Sequence, residues 1–343
     1  MGKFLGSVLV VAVVAVVASV AACSTSESDR SERPPLMVIA VGQPGSVLNA
    51  VGTGVAKLVT EKTGTTMRVR VTSGMDALVG AGDAELGVSA SDSAHLSSNG
   101  LRHYQGRPQK SLRLALPGPP LILGFVVRAD APYRSIGDLK GAAVPGEYPN
   151  ARPMHFDGKA MLSTVGMTWD ELEVIPVASF RDGIQAFIEG RAQAAISSAG
   201  SGLTQQADAN LGGVRFLTLP DGEGVSEQMW NEEPGFHAVS VPSGFSLGID
   251  QDLILAGKET YITANADTSA DAVYEVVKLL WEQIGELSSV HPLFERWTHD
   301  DMVNARVTVP FHDGTIRLLK EVGEWTPEHD RVHQELLTRL SSS

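Results

Sequence analysis

Cys23 is the only cysteine in 343 residues, so no disulfide can form within the chain. Basic residues are outnumbered, 27 Lys and Arg against 40 Asp and Glu, for a formal net charge of −13. That balance excludes a general affinity for nucleic acid and electrostatic adhesion to anionic lipid. It leaves the ligand open, because a local cationic pocket fits inside an acidic protein. There is no H-E-x-x-H pair or P-loop, which points away from the common zinc and nucleotide chemistries and from a cofactor. Beyond residue 22 the sequence has no membrane-length apolar stretch, no repeat array and no low-complexity body.

What the chain does have begins at its first residue. Met1-Gly2-Lys3 supplies a positive start, Phe4 to Ala22 is almost unbroken Val, Ala and Leu, and Val20-Ala21-Ala22 places small residues before Cys23. This is the pattern of a secretory signal peptide over residues 1–22. The apolar stretch approaches a membrane span, but the cleavage-like residues and the polar tract that follows favour removal. Cys23 resembles the lipobox cysteine of bacterial lipoproteins, which implies lipidation and a membrane anchor on the outer face of the cytoplasmic membrane. Myristoylation at Gly2 is excluded, since position six is Gly6 instead of Ser or Thr. Residues 23–35 are polar, charged and end in Pro34-Pro35, a composition suited to a flexible tether.

The body starts at Leu36 and is long enough for two lobes. Apolar runs alternate with helical segments, the pattern of βαβ units and a parallel sheet. Leu36 to Val41 reads as a strand, with a Gly42–Ser46 turn opening a helix from Val47 to Lys62. Met67–Val71 and Leu86–Ala90 read as the next strands. The stretch 112–128 is the first crossing between lobes, and Phe236–Val241 is the expected return. In between, strands are expected at Glu173–Val177, Gln193–Ser197 and Val214–Leu219, with a helix over Phe180–Glu189. Ser135 and Asp138 form a capping box with a stop at Gly141. Beyond 241 the chain reads as mainly helical. Val273, Val276, Val277, Leu280, Ile284 and Leu287 form a stripe along 271–287 behind a Thr268/Asp271 box, and Pro327 opens a last helix. The expected fold is α/β, with lobe 1 formed by 36–125 and 238–343, lobe 2 by 126–237, and a cleft between them.

Strand ends in such a cleft deliver small polar residues and helix N-termini, which suit carboxylates. Gln43, Ser46 and Asn49 in the first loop, and Thr72, Ser73, Ser91 and Asp92 after the next two strands, are therefore candidate ligand contacts. Helix capping and turn chemistry account for the same residues equally well. Ser198 and Ser201, flanking Gly200, form the candidate wall of the second lobe. His329 and His333, one helical turn apart, have the spacing of a metal pair but no evident third ligand, and read as a solvated face. His299-Asp300-Asp301 reads as a loop before a helix, and His312 as structural.

The order of these features resembles the TAXI family, substrate-binding subunits of a subclass of TRAP (tripartite ATP-independent periplasmic) importers. Residues 42–54 (GQPGSVLNAVGTG) fall where that family has a glycine-rich loop leading into a helix. Residues 81–94 (AGDAELGVSASDSA), 126–144 (VVRADAPYRSIGDLKGAAV) and 305–323 (ARVTVPFHDGTIRLLKEVG) are similar to three later patterns, the last being the most specific. The resemblance implies a type II periplasmic-binding-protein fold that captures a small anionic solute, such as glutamate, another amino acid or a dicarboxylate, for a membrane permease. Two departures bear on the ligand. The family's paired tyrosines are Leu48 and Asn49 here, and its glycine-rich turn in the second lobe is replaced by Ala151-Arg152-Pro153-Met154. Arg152 would offer a carboxylate fork. A receptor module presenting solute to a membrane sensor or to an ABC-type importer, and an enzyme on the same fold, are the rival readings.

Overall fold

The computed structural model describes residues 36–289 and 292–342, so the expected signal peptide, the tether and Cys23 lie outside the described residues. The chain builds in βαβ order through β1 (Leu36–Val41), α1 (Val47–Lys62), β2 (Thr66–Val71), α2 (Met75–Gly80), β3 (Leu86–Ala90) and α3 (Ser91–Ser98). β1 pairs in parallel with both β2 and β3. Ser46 starts α1 by accepting a hydrogen bond from the Asn49 amide at 3.2 Å, as a serine N-cap does. Gly52 lets α1 lie tight on this sheet, because a Cβ there would stand 2.2 Å from Val41 Cγ1.

β4 (Leu112–Arg128) is a 17-residue strand. A second series follows, with β5 (Ala143–Gly146), α4 (Pro153–Ser163), β6 (Glu173–Pro176), α5 (Phe180–Ile188), β7 (Ala194–Ser198), α6 (Gly202–Leu211), β8 (Val214–Phe216), α7 (Val225–Glu232) and β9 (His237–Val241). β5 and β6 form a parallel pair, tied to the end of β7 by the Gln193 amide donating to Ala143 O at 2.9 Å. The Ser135/Asp138 capping box is present, on a 3-10 turn.

The expected return crossing at 236–241 is corrected by the structure. That segment is β9, an edge partner of the 13-residue strand β10 (Leu253–Asn265), which makes the return. One half of β10 pairs with β9 and the other with β3. β4 likewise pairs with β10 from Leu112 to Leu123 and with β7 and β8 from Leu123 to Arg128. These two antiparallel strands therefore run through both halves of one eight-stranded sheet. Pro117, Pro119 and Pro120 lie midway along β4, and the β4–β10 register shifts opposite them, between Glu259 and Tyr261. Proline cannot donate to the ladder and bulges bend strands, so both crossovers are weakened at the same level.

The C-terminal part packs back on the first half through α8 (Ala270–Gln283), α9 (His299–Met302), α10 (Asp313–Glu321) and α11 (Pro327–Ser342). The stripe on α8 is buried at Val273, Val276, Val277 and Leu280, but its cap is Ser269 and not Thr268, and it ends at Gln283 before a 3-10 turn. His329 and His333 are buried, against the expectation of a solvated face. Both pack on Trp325, and His333 Nδ1 accepts from the Phe311 amide at 3.2 Å. His312 caps α10, accepting from the Gly314 amide at 3.2 Å.

Candidate functional site

The weakened level of the crossovers opens into a cavity of about 510 Å³. Gly42, Gln43, Ser46 and Leu48 reach it from the first loop and α1, Thr72 and Ser73 from the end of β2, and Ser93 from α3. Asn150 and Arg152 come from the approach to α4, Met154 and Asp157 from α4 itself, Phe180 from α5 and Ser198 from β7. Leu121, Leu123 and Lys258 come from the crossovers themselves, and His103, Tyr104 and Arg107 from the turn after α3. Across its mouth the two halves touch: the Leu203 amide donates to Gly45 O at 3.3 Å, and Arg181 Nη2 donates to Pro44 O at 2.5 Å. Gly45 has φ +89°, and a Cβ there would come within 3.0 Å of Leu203 Cγ, so both backbone conformation and space call for glycine.

Of the residues singled out in the sequence, Gln43, Ser46, Thr72, Ser73, Arg152 and Ser198 line this cavity. Four do not. Asn49 folds back and donates to Gly42 O at 3.0 Å. Ser91 is buried, with its hydroxyl 3.4 Å from Glu259. Ser201 is the buried cap of α6, accepting from the Thr204 amide at 3.1 Å. Asp92 turns to a lysine under the floor. In each case the short polar side chain satisfies a nearby donor or acceptor of the fold and has nothing left for the cleft.

The floor is an ionic cluster that sequence reasoning missed. Lys258 Nζ on β10 donates to Asp92 Oδ2 on α3 at 2.9 Å and to Asp157 Oδ1 on α4 at 2.7 Å, and all three side chains are at most 2% exposed. Lys258 thus binds one carboxylate from each half of the molecule. Beside it, buried Glu233 pairs with Arg102, whose guanidinium lies 4.2 Å over the Phe156 ring and donates to Glu232 O at 2.5 Å. Burial pushes Asp157 up to about 6. Burial, then the nearby charges of Asp92 and Asp157, pushes Glu233 up to about 8. Burial works against the Lys258 ammonium, but Asp157 and Asp92 outweigh it, and its pKa is raised as well. Asp76, under Ser93, is also raised to about 6 by burial, although Ser89 and Ser93 both donate to it.

The mouth has a different character. Arg107 and Arg152 have exposed side chains, and neither has a carboxylate partner among the described residues. Arg107 donates only to His103 O, at 3.2 Å. His103 is held below the usual imidazole range by burial first and then by Arg152 and Arg102. Leu48, Met154 and Phe180 give an apolar wall alongside. Chemically, the cavity offers guanidinium donors for an oxyanion and apolar surface for a small body. No cluster of three or more His, Cys, Asp or Glu suited to a metal is found among the described residues, and none of their helices is long and apolar enough to cross a membrane.

Two α/β halves sharing a pair of long crossover strands, with a cavity where the strands pass, define a periplasmic-binding-protein fold. Among solved structures, the periplasmic binding protein BugD superposes with a TM-score of 0.55 at 12% identity, covering 89% of this chain and 98% of its own. A structure described as a periplasmic transporter superposes with a TM-score of 0.53 at 11% identity, covering 87% and 95%. The chain belongs to the NMT1-like family, whose model matches residues 39–323.

Proposed function

We propose that this protein is the solute-binding lipoprotein of a TAXI-type TRAP importer, capturing a small anionic solute outside the cytoplasmic membrane and handing it to a permease without chemistry. An amino acid such as glutamate, or a dicarboxylate, is the solute class. The observation that carries the reading is the cavity between the two halves, roofed by contacts from Gly45 to Leu203 and bearing two unpaired guanidiniums, Arg107 and Arg152. In this reading the lobes divide within β4 and within β10. Closure by bending at Pro117–Pro120 would trap the solute, as hinged binding proteins do. Gln43, Ser46, Thr72, Ser73 and Ser198 supply its uncharged contacts.

Mass spectrometry of solute retained on gently purified protein tests this directly. A stoichiometric small anion is the expected result, and an empty protein whose scattering profile is unmoved by any candidate anion would reject solute capture. The proposed lipid anchor has its own test. Cys23→Ser should move the protein from the membrane fraction to the soluble one, and retention after a salt wash would contradict lipidation.

A further inference from the structure

The cations around the cavity separate into two sets, and only one has carboxyl partners within the protein. Lys258 is bound by two aspartates and Arg102 pairs with Glu233, while Arg181 holds the Pro44 carbonyl and is not part of the cavity wall. Asp157, the only acidic residue in the cavity wall among the described residues, is already held by Lys258. Arg107 and Arg152 remain. They come from opposite halves, Arg107 from the turn after α3 and Arg152 from the cap of α4, and they reach the same cavity. His103 lies within the electrostatic reach of both, and its buried Nδ1 has no hydrogen-bond partner among the described residues.

Two guanidiniums facing one cavity without a counter-ion repel each other, and a buried imidazole nitrogen without a partner is costly. One oxyanion between them removes the repulsion and attracts each half toward the other. From this geometry we infer that Arg107 and Arg152 grip a single oxyanionic group of the solute from the two sides of the cleft. The solute's charge is then what draws the halves together, and its uncharged part lies against Leu48, Met154 and Phe180. The inference rests on the capture reading above. It makes Arg107, in a turn that carries no recognisable motif, a determinant of specificity.

Calorimetry on the full mature protein tests it with succinate and L-glutamate as anionic probes and succinamide as the neutral shape-mate. The expected result is that at least one anionic probe binds, succinamide does not, and Arg107→Ala weakens that anion tenfold or more. Arg107→Lys should recover part of the loss. Arg107→Ala with Arg152→Ala should lose less than the two single losses combined, because the residues share one group. An Arg107→Ala affinity within twofold of wild type, with Arg152→Ala still impaired, would overturn the two-sided grip and leave solute capture standing. Equal binding of succinamide would overturn it as well. If neither anionic probe binds, the retained solute is compared between wild type and Arg107→Ala: an anion lost from the variant supports the grip, and a neutral solute or an undiminished anion overturns it. A protein that retains nothing and binds no probe refutes the capture reading itself. Unchanged thermal midpoints for the arginine variants exclude misfolding as the cause.

Discussion

The floor and the mouth of the cleft both carry cations, yet they treat them in opposite ways. Lys258 is dry and bound to two carboxylates, whereas Arg107 and Arg152 are exposed and bound to none. Charge that is compensated inside the protein contributes to the fold, and charge left open contributes to binding. The difference is sharpest in what removal should do. Lys258→Met strands Asp92 and Asp157 in a dry site, and breaking one side of a buried pair costs about 3–5 kcal/mol. Urea unfolding should register that loss, the largest expected here. Adding Asp92→Asn and Asp157→Asn should restore much of it, since replacing all the charges at once leaves nothing unpaired. A loss under about 1 kcal/mol for Lys258→Met alone would show that the floor is wetter than its burial implies.

Arg152→Ala is the counterpart at the mouth. Its expected effect on stability is within about 0.5 kcal/mol, as for surface changes away from special features. Its effect on carboxylate binding should be at least ~1.5 kcal/mol, the low end for hydrogen bonds to charged groups. Calorimetry and urea unfolding on the same variant separate the two effects. Equal losses in both would erase the distinction between floor and mouth.

The same distinction explains how much could be read from the sequence. β1, β3 and the whole of β4 were legible because buried strands in βαβ units are nearly continuous apolar runs. β10 was not, because Lys258, Glu259, Thr260 and Thr263 interrupt its apolar pattern. Lys258 is made acceptable there by Asp92 and Asp157, 166 and 101 residues away, and no local window contains those partners. The strand-end rule brought Gln43, Ser46, Thr72, Ser73 and Ser198 to the cavity, since chain direction alone delivers them there. It failed at Asn49, Ser91, Asp92 and Ser201, where the same residue types satisfy caps and buried partners. His103, Tyr104 and Arg107 lie in a turn without periodicity, so only the fold brings them to the cleft. His329 and His333 were misread for a related reason: a polar-looking helix buries them on Trp325 and Phe311.

The smallest expected effect tests the floor by pH. Glu233 is raised from its ordinary 4.5 to about 8 by burial and by Asp92 and Asp157, with Lys258 and Arg102 opposing. The folded state therefore holds a proton that the unfolded chain releases, and stability declines as pH rises toward 8. Asp76 and Asp157 act in the same sense, but only up to about 6. His95, His103, His155, His312 and His333 are all lowered from 6.5 and act in the opposite sense, below that value. Glu233 is left to set the slope between pH 6.5 and 8, a fall of about 1.4 kcal/mol per pH unit at most, since one proton is involved. Glu233→Gln keeps an acceptor for Arg102 and removes the titration, so its unfolding free energy should be nearly flat across that window. If wild type is equally flat there, Glu233 is already ionised, and the floor carries its third carboxylate with only Lys258 and Arg102 to balance it.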